Sequence, residues 1–197
     1  MSARTKPIVL DWGCGDALSA AQVAPACGEL ILFDAVEAVQ QRLKARFAGA
    51  NSNIRVLDTA GWQGLPAHSV DVIVMNSVAQ YISRETLERL LDDFRRVLKP
   101  DGEAIIADII PPHVSMVADI TSLLKSGWDH GFFLAACRGL VATFFSEYRK
   151  LRAEAGFSTY DEGEFKKLVV AHGFAVERLP RNLGFNQQRM GFRALPR

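Results

Sequence analysis

Four places in this 197-residue chain combine residue types and spacing that could do chemistry: Asp11-Trp12-Gly13-Cys14-Gly15, Asp34, Asp58 and Asn76. At the first, the apolar run Ile8-Val9-Leu10 ends in Asp11 and a Gly-x-Gly turn follows. Two glycines let a backbone turn sharply and approach a ligand where a side chain would interfere. A helix-like segment from Leu18 to about Ala26 would point its free N–H groups back at that turn. This is a cradle for a nucleotide-type cofactor. The dinucleotide version needs a small sixth residue, Gly-x-Gly-x-x-Gly/Ala, for close helix–strand packing. Leu18 occupies that place, and the third small residue is Ala17. Asp11 gains little opposite an anionic pyrophosphate and suits a ligand carrying a cationic amine. Asp34 has the paired oxygens to accept from two ribose hydroxyls, and Asp58 can accept from the exocyclic amine of adenine. For each acid the alternative is a helix N-cap or a solvated loop end. Together with Gly13 and Gly15, the ligand reading is favoured.

The elements that must position these residues alternate between strand-like and helix-like, the pattern of a parallel α/β sheet. Short apolar runs at 8–10, Glu29–Asp34, Ile54–Asp58, Val70–Asn76 and Glu103–Ile110 read as buried strands. Between them, Val36, Val39, Leu43 and Phe47 fall on one helical face, with Gln40, Gln41, Arg42 and Lys44 mostly on the other. Arg84 to Leu98 is amphipathic and Lys99-Pro100-Asp101-Gly102 ends it. Ligands in such sheets bind outside the carboxyl ends of the strands, where the acids and Asn76 stand.

The motifs and their order resemble the class I S-adenosylmethionine (SAM)-dependent methyltransferases, especially the small-molecule and glycan- or lipid-intermediate group. Asp11 to Ala17 is similar to the acid-x-Gly-x-Gly-x-Gly motif, with Ala17 in place of the last Gly. Asp34 with Ala35, Asp58-Thr59 and Asn76-Ser77-Val78-Ala79-Gln80-Tyr81 resemble the motifs after the second, third and fourth strands. Arg96 to Gly102 resembles Arg-x-Leu-Lys-Pro-Gly-Gly, with Asp101 replacing a glycine. The resemblance implies a doubly wound, Rossmann-like seven-stranded sheet, mostly parallel with an antiparallel last strand. It implies SAM as cofactor, held by Asp11, Gly13, Cys14, Gly15, Asp34, Ala35, Asp58, Thr59 and Asn76, the last through its backbone carbonyl at the amino group of SAM. Trp62 is open to two readings, an adenine cover or an ordinary core residue. A non-catalytic SAM-binding module is the alternative, and an NAD-dependent oxidoreductase a more distant one.

The C-terminal third departs from the minimal scaffold. Residues 113–156 form an expected helical insert after the fifth strand, a candidate lid within one domain spanning 1–197. Its apolar stripe is Phe133, Cys137, Leu140, Phe144, Tyr148 and Leu151, and Arg138, Arg149, Lys150 and Arg152 make it basic. Dimer face, membrane-surface contact and core packing are the other readings of this stripe. The first strand starts near Ile8, so the N-terminal cover helices of many relatives are not expected. A helix over Glu162–Ala171 and a terminal hairpin of Ala175–Leu179 with Arg189–Leu195 close the chain, and Thr159 with Glu162 loosely resembles a capping box. Methyl transfer needs a general base only for hydroxyl or protonated-amine acceptors. The candidates are His113, His130 and Tyr81, with Gln80, Tyr81 and Asp108 as residues that could orient the acceptor.

Composition narrows the partners. The chain is 49% hydrophobic with 23 basic and 22 acidic residues, a net charge of +1 that suggests no nucleic-acid partner. Three cysteines without metal-ligand spacing fit a reduced, cytoplasmic protein and no metal site. No apolar run approaches the ~20 residues that span a bilayer. A small-molecule, glycan or lipid-linked substrate is expected, with peripheral membrane contact possible and a monomeric or homodimeric state.

Overall fold

The structure is a computed structural model, and it describes residues 6–49, 53–114, 158–184 and 186–197. Seven strands form one sheet in the order β3-β2-β1-β4-β5-β7-β6. The strands are β1 (Ile8–Trp12), β2 (Glu29–Phe33), β3 (Ile54–Val56), β4 (Val70–Asn76), β5 (Leu98–Ile109), β6 (Phe174–Arg178) and β7 (Met190–Pro196). The first five pair in parallel, and β7 runs antiparallel to both neighbours, as the family resemblance implies.

Among the described residues, helices lie on both faces of the sheet. On one face lie α3 (Thr59–Gln63), α4 (Arg84–Val97) and α5 (Glu162–Ala171). Leu87, Leu90, Leu91, Phe94 and Val97 of α4 pack with Leu10, Ile73, Met75 and Ile106 of the strands, and Phe165 stacks on Phe192 at 4.7 Å. On the other face α1 (Ala20–Val23) and α2 (Glu37–Phe47) bury Ala20, Val39 and Leu43 against Leu30 and Leu32.

Several local expectations change. The predicted helix from Leu18 to Ala26 is reduced to the four residues of α1 and a 3-10 turn over Ala24–Ala26. Ala17 stands left-handed (φ 44°), and Pro25 ends the α-helical pattern because it lacks an N–H. The turn therefore faces no long helix N-terminus. β5 begins at Leu98, before the predicted Glu103, because Leu98 already pairs with Val70; the register then shifts so that Val72 pairs with Glu103. Asp161, not Thr159, caps α5, its carboxylate accepting from Gly163 N at 2.8 Å. Gln40, expected on the solvated side of α2, is buried.

Candidate functional site

The carboxyl ends of β1, β2, β4 and β5 meet along one edge, and two structures are built there. The first is the loop after β1. Gly13 N and Cys14 N both donate to Phe33 O, at 2.7 and 3.1 Å, which ties the loop to the end of β2. Gly13 (φ 75°), Gly15 (φ 55°) and Ala17 (φ 44°) alternate in the left-handed region. The two glycines do different work. A Cβ on Gly13 would stand 2.4 Å from Val78 Cγ2, so its missing side chain admits the turn after β4. A Cβ on Gly15 would meet nothing within 4 Å, so the open side of the cradle is here.

Asp34 locks this loop from behind. Its carboxylate accepts from Gly15 N at 3.0 Å and Val36 N at 2.9 Å, and its carbonyl accepts from Gln40 Nε2 at 2.8 Å. The carboxyl is buried (3% exposed), while Ala35 beside it is exposed. Gln40 is a positioning residue that the helical pattern did not single out; its signal was a polar side chain six residues beyond a strand-end acid. Asp11 also sits inward, and its carboxyl is pushed up to about 6, chiefly by burial and then by the charge of Asp34. The same burial and the same two acids push the Cys14 thiol far up, so Cys14 fills the loop and is no nucleophile. A cavity of about 210 Å³ lies beside the loop, lined by Asp11, Cys14, Leu18, Ser19, Val23 and Leu30 among others.

The other predicted contacts are placed less uniformly. Asp58 caps α3, accepting from Gly61 N at 2.8 Å and from Lys44 Nζ at 2.7 Å, which holds its carboxyl below the usual range. Thr59 next to it is exposed. Trp62 is buried: it stacks on Phe33 at 5.7 Å and meets Trp12 and Phe94 edge-on, each at 6.2 Å. It is a core residue, and the adenine-cover reading falls. Asn76 ends β4 with its Oδ1 buried and without a hydrogen-bond partner.

The second structure is at the ends of β4 and β5. Ser77 (φ 60°) and Asp108 (φ 67°) are left-handed without being glycine, in adjoining strands. Such residues cost roughly 1–2 kcal/mol each and need support. Ser77 Oγ donates to Asp108 Oδ2 at 2.7 Å, and Arg189 Nη1 pairs with the same oxygen. Asn182 brackets Asp108, its Nδ2 donating to Oδ1 and its Oδ1 accepting from Asp108 N, both at 2.9 Å. Gln187 in turn holds Asn182 N and O, at 3.1 and 3.2 Å. Gly184 is required because a Cβ there would stand 2.6 Å from Asp108 Oδ1. Asp108, expected to orient an acceptor, is thus occupied in fastening the β6–β7 loop to the strand ends. Sequence reasoning missed Asn182, Gly184, Gln187 and Arg189. The crowding of amide and basic side chains between two strands was their signal.

Of the candidate bases, His113 is exposed, Tyr81 is half-buried beside the β4 turn, and His130 lies outside the described residues, as does most of the 113–156 insert. No His/Cys/Asp/Glu group suited to a metal ion occurs among the described residues, and no helix among them is long and apolar enough to cross a membrane.

Known proteins match this arrangement. Residues 9–102 fit the family model of a methyltransferase domain. Over that stretch the chain is similar to a methyltransferase domain. The YcgJ protein of Bacillus subtilis is 20% identical with a TM-score of 0.60, over 90% of this chain and 66% of its own. A putative type 11 methyltransferase of Sulfolobus solfataricus is 16% identical (TM-score 0.58; 98% of this chain, 85% of that one). The magnesium protoporphyrin IX methyltransferase of Synechocystis, solved with bound SAM, is 15% identical (TM-score 0.60; 98% of this chain, 71% of that one). At these identities the likeness is one of fold. Among curated proteins nothing matches the sequence.

The residues at this strand edge fit SAM. Gly15 leaves an open approach, Asn76 Oδ1 is a buried acceptor awaiting a donor, and Asp11 and Asp34 concentrate negative charge where a cationic ligand would be favoured.

Proposed function

We propose that this chain transfers a methyl group from SAM to a small-molecule, glycan or lipid-linked acceptor in the cytoplasm. The observation that carries the reading is Gly15, left-handed and open to 4 Å, in the loop that follows the half-buried Asp11. SAM supplies a methyl already activated by its sulfonium. The protein therefore has to align an acceptor with that carbon and exclude water. In this reading the backbone of Gly13–Gly15 faces the amino-acid end, with Asp11 near its cationic amine and Asn76 on its far side. Asp34 keeps the loop in shape and, with Ala35, stands at the ribose. Asp58 and Thr59 border the adenine. Tyr81 and His113 stand at the acceptor end, where one of them would take a proton from a hydroxyl or ammonium acceptor.

Calorimetry with SAM, its product S-adenosylhomocysteine and NAD tests the donor half. SAM and the product are expected to bind and NAD to fail. Equal affinity for NAD and SAM would return the cradle to the dinucleotide class. Methyl-labelled SAM, incubated with the protein and fractionated extracts of metabolites and glycolipids, tests the acceptor half. Label is expected in one fraction, and binding without transfer to any fraction would leave a SAM-binding module.

A further inference from the structure

The turn after β4 holds two carbonyl side chains that the fold does not use. Asn76 Oδ1 and Gln80 Oε1 are buried, and neither meets a hydrogen-bond donor among the described residues. Asn76 closes β4, and Gln80 is the middle residue of a 3-10 turn over Ala79–Tyr81. Gln80 is only 3% exposed. Folded chains rarely leave a buried acceptor unpaired, because its lost hydration is then uncompensated. Asn76 has a use at the cationic amine of SAM. Gln80 has none there. Its backbone is fixed from two sides. Tyr81 N donates to Val78 O at 2.9 Å, and Val78 abuts the loop after β1 at Gly13. Ser158 N donates to Gln80 O at 3.2 Å, its Oγ donates to Ile82 O at 2.8 Å, and Tyr160 N donates to Ile110 O just beyond β5 at 2.9 Å. The turn that carries Gln80 thus joins the cradle to the chain beyond β5. The nearby acid offers no substitute, since Asp108 is held by Ser77, Asn182 and Arg189.

We infer that Gln80 Oε1 receives a hydrogen bond from the acceptor, whose reacting atom is a hydroxyl oxygen or an amine nitrogen carrying a hydrogen. The inference rests on the methyl-transfer reading and narrows its acceptor class. An amide oxygen is neutral and only accepts. It pairs with O–H or N–H, opposes the oxygens of a carboxylate or phosphate, and gains nothing from a carbon or a thioether. It is also too weak a base to take the proton, so its part is orientation. With the O–H or N–H bond pointed at Gln80, a lone pair of the same atom is left for the methyl carbon. The new C–O or C–N bond forms as the C–S bond breaks, and sulfur keeps that electron pair and becomes a neutral thioether. The positive charge passed to the acceptor atom is discharged when its proton leaves to solvent.

The test is Gln80→Met in the full chain, which keeps the length of the side chain and removes the oxygen. Two readouts are taken: thermal melts of the ligand-free protein, and transfer of labelled methyl from SAM to the extract fraction that the parent protein labels. Ligand-free Gln80→Met is expected to melt about 3 °C higher than the parent, because an unpaired buried acceptor is gone. Its rate of transfer at limiting acceptor is expected to fall roughly 10- to 100-fold, with the affinity for S-adenosylhomocysteine unchanged. The label is expected in a methyl ether or an N-methyl group, which tells a hydroxyl acceptor from an amine. An unchanged or lower Tm, failure to fold included, places a partner for Oε1 within the fold and overturns the inference. Equal transfer by variant and parent overturns it too, as does label in a methyl ester, a thioether or a C-methyl group. A parent that labels no fraction is the separate failure of the methyl-transfer reading, and it takes this inference with it.

Discussion

The two ends of the strand edge, the donor and acceptor ends of the proposed function, solve the same problem with different materials. At both, the chain enters the left-handed region more than once: at Gly13, Gly15 and Ala17 within one loop, and at Ser77 and Asp108 on two neighbouring strand ends. The donor end does so at Gly13 and Gly15, where no side chain objects, and once at Ala17. The acceptor end does so at Ser77 and Asp108, where the cost is offset by a hydroxyl, an amide and a guanidinium gathered on one carboxylate. The donor loop is held by backbone groups and by one acid from the next strand, which leaves its open side at Gly15 free of protein. The acceptor end is held by side chains brought from far along the chain. Under the proposed function the first arrangement suits a cofactor that never changes, while the second spends its side chains on fastening the β6–β7 loop to the strand ends.

The largest effect is expected from breaking the acceptor end. Arg189 and Asp108 have side chains only 14% and 9% exposed, so removing one partner strands a buried charge. Arg189→Met is expected to cost about 3–5 kcal/mol in urea denaturation. Binding of S-adenosylhomocysteine to the folded variant should stay as it was. A matching loss of that affinity would show that the two ends are one unit.

The glycines test the donor end on a smaller scale. Gly13→Ala adds a Cβ that meets Val78 and a left-handed penalty, and about 3 kcal/mol of stability should be lost. Gly15→Ala meets no atom and should cost only the backbone term, about 1 kcal/mol, while cofactor affinity falls more than stability does. Thermal melts paired with calorimetry separate the two. Similar losses of stability at both positions would mean that Gly15 is packed and the cradle lies elsewhere. Adding Val78→Ala should restore part of the stability of Gly13→Ala and none of Gly15→Ala.

The same contrast explains what the sequence disclosed. The strands of the parallel sheet and the cradle follow from local patterns: apolar runs, an acid at each run's end, glycines at fixed offsets; the antiparallel β7 is implied by the family resemblance. Those patterns span a few residues and leave a trace in the chain itself. Ser77–Asp108, Asp108–Asn182 and Asp108–Arg189 join residues 31, 74 and 81 positions apart, and no periodicity links their members. Gln40 was misplaced for a related reason, since a helical wheel sorts residues by polarity and cannot see a carbonyl at Asp34 that needs a donor. α1 was overlong because nine residues with few β-branched members read as helix, and Pro25 carried more weight than their propensity.

The mildest test uses pH, and its sign distinguishes the cofactor site from the fold. Asp11 holds its proton up to about 6, above the ordinary 3.8, because burial and Asp34 disfavour its charge. The folded chain therefore binds that proton more tightly than the unfolded chain. Asp11's contribution to the stability of the ligand-free protein is full below about 3.8 and declines as pH rises toward 6, by about 3 kcal/mol in all. Cofactor affinity must run the other way, because a cationic amine needs the ionised carboxylate. Lowering the pH from about 7.5 to about 5.5 protonates most of Asp11 and should weaken SAM about fourfold. Asp11→Asn should flatten both curves, with weaker binding at every pH. If SAM affinity instead holds level across this range while ligand-free stability still climbs, Asp11 is a buried acid of the fold alone, and the donor end binds its cation through Asp34 and the backbone.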